Sequence, residues 1–424
     1  MLSTEPQRER AYLIGVLLPR TDAHTSAEQM RELEELTRTA GGEVVATDTQ
    51  RRDQPDPALF VGRGKVEEIK ERRGELRYDL VICNEDLSPR QQRNLERELK
   101  VRVVDRTELI LDIFAQHART REGRLQVESA QLHHLLPRLI GAYDYHRQLG
   151  GIGTRGGPGE QQIEVERRRI RRRLRRLEEE LEQVRSQREQ LRSARRRSEL
   201  STVAIVGYTN AGKSTLMNAL TGAGAAAEDR LFATLDPTVR RLRLPSGREV
   251  LLTDTVGFIQ NLPTDLVAAF RATLEEVVYA DVLLHVVDAS APAALDQAAT
   301  VDRVLEELGA GHKPTVVALN KIDLLGPASL RRTTAAFARR YPNVVPISAL
   351  KQLGLEQVGE AIDASTHGEM VAVQLLVPYG REGVLNELRQ VGGLETTEYT
   401  EQGTLARGRA PRQAVHRFEE YLVS

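Results

Sequence analysis

Lys213 and Ser214 are the first residues whose types and spacing imply chemistry. They close the run Gly207-Tyr208-Thr209-Asn210-Ala211-Gly212-Lys213-Ser214-Thr215, which has the glycine, lysine and hydroxyl spacing of a phosphate-binding loop. Backbone N–H groups of such a loop, with the positive end of the next helix, hold negative charge. Lys213 is expected to reach the terminal phosphates, and Ser214 to ligate magnesium. The pattern needs a strand before it and a helix after it. The apolar run Thr202 to Val206 supplies the strand, and Leu216 to Leu220 continues the helix.

Further groups follow in the order that a nucleotide site needs. Phe232-Ala233-Thr234-Leu235-Asp236-Pro237-Thr238 falls where a first switch loop would lie. Thr234 and Thr238 both qualify by type to complete magnesium coordination and sense a γ-phosphate. Asp254-Thr255-Val256-Gly257 ends the apolar strand Glu249 to Thr253. Its aspartate would hold the magnesium from a second side, and its glycine would bring a backbone amide to the γ-phosphate. Asn320-Lys321-Ile322-Asp323 ends the buried strand Thr315 to Leu319. Asp323 can accept from guanine N1 and N2 together, a donor pair that adenine lacks. Ser348-Ala349-Leu350 follows the strand Val344 to Ile347 and would cover the edge of the base. Phe258 stands where many switch GTPases place a glutamine that orients the attacking water, which a phenyl ring cannot do. Slow intrinsic turnover, stimulated by a partner, is therefore expected. The amide oxygen of Asn210 would help to ligate a potassium ion beside the phosphates.

Positioning these groups takes several domains, since 424 residues exceed one ordinary core. The spacing predicts a parallel α/β domain over 1–118, a helical arm over 119–199, a P-loop GTPase domain over 200–367 and a small α+β domain over 368–424. In the first, strands at 12–18, 43–47, 78–83 and 101–104 alternate with helices at 27–38, 62–73, 89–99 and 106–117. Gly62-Arg63-Gly64-Lys65, after a very short strand at Leu59 to Val61, reads either as an anion site or as a plain helix entry. In the third, every motif loop leaves the carboxyl end of a strand, where doubly wound sheets bind ligands. In the last, strands at 371–377, 395–400 and 404–409 and helices at 383–391 and 411–422 carry no recognisable chemistry.

The arm joins a helix over Glu128 to Tyr145 to a longer one over Glu160 to Glu199. Between them lies Gly150 to Gly159, six of whose ten residues are glycine, so no regular element is expected there. Ile163, Ile170, Leu177, Val184 and Leu191, interleaved with Leu174 and Leu181, form a heptad seam that predicts a self-packed coiled-coil hairpin. Between Gln161 and Leu200 fourteen arginines face eight glutamates, a local charge of +6 that suits a nucleic-acid backbone. The overall charge of −1 hides this. No apolar run is long enough to span a bilayer, and the polar Met1 to Arg10 lacks a secretory core. The single cysteine, Cys83, lies in an apolar run, excludes an internal disulfide and suits the reducing cytosol. His133 and His134 have no metal-like partners in their helix and read as structural.

Taken in order, the motifs from Gly207 to Ser214, Phe232 to Thr238, Asp254 to Phe258 and Asn320 to Asp323 resemble the HflX family of translation-associated GTPases, within the Obg-HflX-like superfamily of the TRAFAC class. The likeness reaches the glycine tip and the arginine-rich helix behind it. It implies binding to the large (50S) ribosomal subunit, with the arm on rRNA near the peptidyl-transferase region. It further implies GTP-dependent splitting of stalled or dormant ribosomes, with hydrolysis to GDP stimulated by the subunit. In that family the threonine equivalent to Thr234 binds magnesium, and some members also hydrolyse ATP and unwind RNA. A monomer in the cytoplasm, ribosome-associated and loosely membrane-associated, is what the resemblance leads one to expect. Two other readings stay open: a ribosome-assembly factor, and a regulatory GTPase with protein partners alone.

Overall fold

The structure is a computed structural model that describes residues 8–19, 23–149, 158–197, 200–222, 231–232, 236–260, 271–366, 370–411 and 415–423. Its first unit runs β1 (Arg10–Leu17), α1 (Ala23–Thr39), β2 (Glu43–Arg51), α2 (Arg63–Glu71), α3 (Arg73–Leu76), β3 (Leu80–Cys83), α4 (Pro89–Leu99), β4 (Arg102–Val104) and α5 (Arg106–His117). The four strands are all parallel, in the order β2-β1-β3-β4. Successive residues of β1 serve opposite faces. Tyr12 and Ile14 pack in one core with Val81 and Cys83, and Leu13 packs in another with Leu33, Ile82 and Phe114. Both faces are therefore covered, as a parallel sheet requires. Local chemistry sets the helix starts. Ser88 and Gln91 form a capping box with Pro89 at the first helical position of α4, and Asp105 caps α5 through the Glu108 N–H.

Two details differ from expectation here. Leu59 to Val61 is not a strand; Phe60 has φ 65° and makes only an isolated bridge with Asp56. The Gly62 N–H donates to Gln50, and Lys65 pairs with Glu68 and Asp48, so these groups serve a plain helix entry.

The arm consists of α6 (Arg121–Leu149) and α7 (Pro158–Arg197). Helix α6 begins well before Glu128, and α7 takes in Pro158 and Gly159 from the stretch expected to be irregular. Proline is tolerated at a first helical position because no N–H is needed there. Residues 150–157 of the glycine tip lie outside the described residues. The pairs Arg121–Glu180 and Glu128–Arg173 set the two helices antiparallel. Ile170, Leu174 and Leu177 of the heptad pattern are buried, and Leu181 and Val184 are half-buried.

The nucleotide-binding unit follows: β5 (Thr202–Gly207), α8 (Lys213–Thr221), β6 (Thr238–Arg243), β7 (Glu249–Asp254), α9 (Arg271–Tyr279), β8 (Val282–Asp288), α10 (Ala294–Glu307), β9 (Thr315–Asn320), α11 (Pro327–Ala338), β10 (Val344–Pro346) and α12 (Leu355–Thr366). Its six strands lie in the order β10-β9-β8-β5-β7-β6, parallel except for β6. The core on one face of this sheet is continuous with that of the first unit, so Phe114 of α5 and Phe258 share one buried cluster.

The tail holds β11 (Met370–Val377), α13 (Gly383–Val391), β12 (Gly393–Thr400) and β13 (Gly403–Pro411), an antiparallel sheet in the order β11-β13-β12. The helix expected over 411–422 is instead a 3₁₀ segment, Val415–Tyr421. Pro411 ends β13, paired with Met370.

Candidate nucleotide-binding site

Gly207 ends β5 at φ 150°, and a Cβ there would stand 2.2 Å from the Val286 carbonyl oxygen of β8. Gly212 has φ 91°, and a Cβ would lie 2.3 Å from Asn320 Nδ2. Only glycine fits either place. Between them Asn210 also takes a left-handed turn, at φ 57°. The loop runs into α8 at Lys213, whose side chain is buried and donates to the Tyr208 carbonyl at 2.8 Å. Burial brings the Lys213 pKa down to about 8, against the opposing pull of Asp254. The Ser214 hydroxyl donates to Asp254 Oδ2 at 2.7 Å. Thr209 Oγ1 is buried without a hydrogen-bond partner among the described residues. Ala211 is buried in the core, and Thr215 is half-buried on α8.

The Asp254 segment lies directly against this loop. The Thr209 N–H donates to the Phe258 carbonyl at 2.8 Å, and the Phe258 N–H donates to the Gly207 carbonyl at 3.1 Å. Thr255 ties the segment to β5 through the Ile205 carbonyl at 2.6 Å, and Val256 is buried. A Cβ on Gly257 would come within 2.8 Å of Lys213 Nζ and 2.9 Å of Thr209 Cα. Phe258 is 1% exposed and packs in the core shared with α5, so its ring cannot hold a water at the phosphates.

On the other side of the loop, Asn320 bridges two segments. Its Nδ2 donates to the Ala211 carbonyl at 2.8 Å, and its Oδ1 accepts from the Ala349 N–H at 2.9 Å. Lys321 has φ 64° and pairs with Asp288 at 2.7 Å, and Ile322 packs beneath. Asp323 Oδ1 accepts from the Ser348 hydroxyl at 2.6 Å. Ala349 is buried and Leu350 is exposed. The motifs from three separate loops are thus joined by direct hydrogen bonds.

Of the first switch, Ala233, Thr234 and Leu235 lie outside the described residues. Their neighbours are docked on the first unit and the arm. Phe232 is buried and meets Phe114 edge to face, with centroids 4.6 Å apart. The Asp236 carboxylate accepts the N–H groups of Arg119 at 2.9 Å and Thr120 at 2.8 Å, and also the Thr120 hydroxyl. Thr120 Oγ1 in turn accepts from the Gly123 N–H at 3.0 Å. The switch-loop aspartate therefore sits at the amino terminus of α6, where negative charge is favoured. Thr238, the other threonine of this stretch, opens β6 opposite Asp254.

Comparison with known proteins places this geometry. Residues 27–115 match the model described as GTP-binding GTPase N-terminal, 117–195 the GTP-binding GTPase middle region, and 202–321 the 50S ribosome-binding GTPase. GTPase HflX of Caldanaerobacter subterraneus subsp. tengcongensis is 46% identical over 420 residues, covering 98% of this chain and 94% of that protein. The chain belongs to the HflX family of GTPases. GTPase HflX of Escherichia coli is 44% identical over 380 residues, covering 89% of this chain and 88% of its own. The crystal structure of the SsGBP–GDP complex is similar at a TM-score of 0.50 and 28% identity, covering 84% of this chain and 98% of that one.

Some contacts of the site come from distant parts of the chain and escape sequence patterns. Glu32 and Arg106, far from the phosphate loop in sequence, reach Tyr208 and Gln260. No local spacing signals this. His134, expected to lack metal-like partners, lies 3.3 Å from Asp105, and Glu108 completes a group that could hold a cation. Asp105 is nevertheless engaged: it accepts from Leu87, Glu108 and Arg138 and caps α5. Burial pushes its carboxyl up, and His134 and Arg138 outweigh that and hold it below its usual range. The cluster reads as a buried ion pair at a helix start.

Proposed function

We propose that this chain binds the large (50S) ribosomal subunit and uses GTP to split stalled or dormant ribosomes, with hydrolysis stimulated by the subunit. As a member of the HflX GTPases it is a GTP hydrolase. The observation that carries the proposal is the Asp236 contact: an aspartate of the switch stretch accepts the Arg119 and Thr120 N–H groups at the start of the arm. When the γ-phosphate draws Thr234 inward, the charge at the amino terminus of α6 must move or strain with it. The nucleotide state is thereby transmitted to a helix pair whose second member exposes Arg168, Arg169, Arg171, Arg172, Arg175 and Arg176. That surface suits ribosomal RNA phosphates.

Within the site, the amides from Gly207 to Thr215 cradle the phosphates, Lys213 neutralises them and Gly257 offers its N–H to the γ-phosphate. Asp323 selects guanine, with Ser348 holding its carboxylate in place. The residues present suit magnesium: the Ser214 hydroxyl already meets the Asp254 carboxylate, which makes a pair of hard oxygen donors. Ser214 and Thr234 would ligate the ion, which would neutralise charge on the β- and γ-oxygens. Asn210 would contribute to a potassium site. The working form in this proposal is a ribosome-associated monomer in the cytoplasm. No described helix is long and apolar enough to cross a membrane.

The test is binding of the full chain to purified ribosomal particles across a salt series. Salt-sensitive binding to mature large subunits, lost when Arg167 to Arg169 and Arg171 to Arg173 are changed to glutamine, supports the proposal. Binding only to precursor particles indicates assembly, and binding to no particle indicates a regulator with protein partners.

A further inference from the structure

We propose that Glu32 and Arg106, both from the first α/β unit, are positioning residues for GTP hydrolysis, acting through Tyr208 on the stretch Gly257 to Gln260. The phosphate loop and this stretch already share a short parallel bridge between Tyr208 and Phe258. Side chains extend it by one more rung. The Gln260 N–H donates to the Tyr208 hydroxyl oxygen at 2.8 Å, and Arg106 Nη2 donates to the Gln260 carbonyl at 3.0 Å. Gln260 is therefore held at both of its backbone polar groups. The two holders are joined by one carboxylate: Glu32 accepts from Tyr208 on one oxygen and from Arg106 on the other.

The polarity of this network explains why an acidic residue is needed. An ionised carboxylate only accepts, so Tyr208 must point its proton at Glu32. That leaves the phenol oxygen a lone pair for the Gln260 N–H. Burial pushes the Tyr208 phenol pKa up, with Glu32 adding to it, so the proton stays in place at all working pH values. Arg106 is 4% exposed and Tyr208 7%, so the network is shielded from competing water. Removing Glu32 strands a buried guanidinium and lets the phenol proton turn toward the Gln260 N–H. The stretch carrying Gly257 then keeps the two Phe258 backbone bonds to the phosphate loop but loses the outer rung that steadies them. A backbone donor in a phosphoryl-transfer site works by being preset, so rate suffers before ground-state binding does.

The experiment uses the full chain. Glu32→Ala is expected to slow single-turnover GTP hydrolysis by about tenfold to a hundredfold. Affinity for a fluorescent GDP analogue should stay within about twofold of the parent, because Glu32 holds the Tyr208 side chain and not the loop amides that face the phosphates. Glu32→Gln restores one acceptor for Tyr208 and should recover part of the rate. Amide hydrogen exchange at Gln260 should quicken in Glu32→Ala and recover likewise in Glu32→Gln. A folded Glu32→Ala protein hydrolysing GTP at the parent rate, or one whose GDP affinity falls in step with its rate, overturns the proposal. If Glu32→Ala does not fold, Arg106→Lys decides: Arg106 Nη2 makes both contacts, and a lysine ammonium ends about one bond short of it, so a parent rate with that variant overturns it equally.

Discussion

Lys213 is charged and buried at the same time, and this gives the nucleotide affinity a pH dependence that can be calculated. Desolvation brings its pKa from the ordinary 10.5 down to about 8, with Asp254 only partly compensating. Phosphates supply the missing counter-charge, so the ammonium is fully protonated in the complex. Binding above pH 8 must then carry a proton in with the nucleotide. With a pKa of about 8, roughly a tenth of the free protein lacks the proton at pH 7 and about three quarters lacks it at pH 8.5. GDP affinity should therefore fall about fourfold between those pH values, near 0.8 kcal/mol, with uptake of about 0.8 proton at the upper one. The window lies below the loss of the guanine N1 proton, so the base does not contribute. The sign for folding is opposite to that for binding. The depressed pKa destabilises the nucleotide-free fold below pH 8, and its stability rises as pH increases from about 8 toward 10.5, where only the unfolded chain still holds the proton. Calorimetric titration with GDP in two buffers of different ionisation enthalpy gives affinity and proton uptake together. Constant affinity with no proton exchange between pH 7 and 8.5 would refute the reasoning, because Lys213 would then be fully charged before the nucleotide arrives.

Four other outcomes follow from contacts in the site. Asp323→Asn should shift preference from guanine to xanthine nucleotides, by about 2 kcal/mol or more for the lost charged hydrogen bonds, as measured by competition binding. Gly257→Ala places its Cβ against Thr209 Cα, which cannot rotate away; hydrolysis should drop about a hundredfold while GDP binding persists, as single-turnover kinetics would show. Asp236→Ala removes the acceptor at the start of α6 and should lower stability by about 1 kcal/mol in urea unfolding. It should also erase any difference in hydrogen exchange at Arg119 to Gly123 between the GDP and GTP-analogue states. Replacing potassium by sodium should slow hydrolysis in the parent protein and leave Asn210→Ala unaffected; equal rates in both salts remove Asn210 from its assigned role.

The elements that bring the candidate nucleotide site together are legible because each of its parts is local. A phosphate loop is a strand, a turn with defined glycines and a helix start, and all three lie within the run from Thr202 to Leu220. The Asp254 and Asn320 motifs likewise end strands whose apolar character is plain, and the sheet brings them together by its regular order. The arm helices could be read from periodicity, but their first turns could not. Helix α6 starts at Arg121 because Thr120 accepts from the Gly123 N–H, and Asp236, far along the chain, holds Thr120 in place. The sequence pattern puts Pro411 in a helix although it closes a strand, since pairing with β11 outweighs local propensity. The contacts of Glu32 and Arg106 with Tyr208 and Gln260 depend on two sheets sharing one core. Such contacts leave no periodic trace, and a single acidic position on the amphipathic α1 looks like any solvated one.

The central claim is that the nucleotide state governs engagement of the large ribosomal subunit. Its most direct test is gradient sedimentation of the full chain with purified 50S subunits, with either GDP or a non-hydrolysable GTP analogue present. The protein should travel with the 50S peak when the analogue is bound and stay largely at the top with GDP. Equal distribution in the two states, or no association in either, would contradict it.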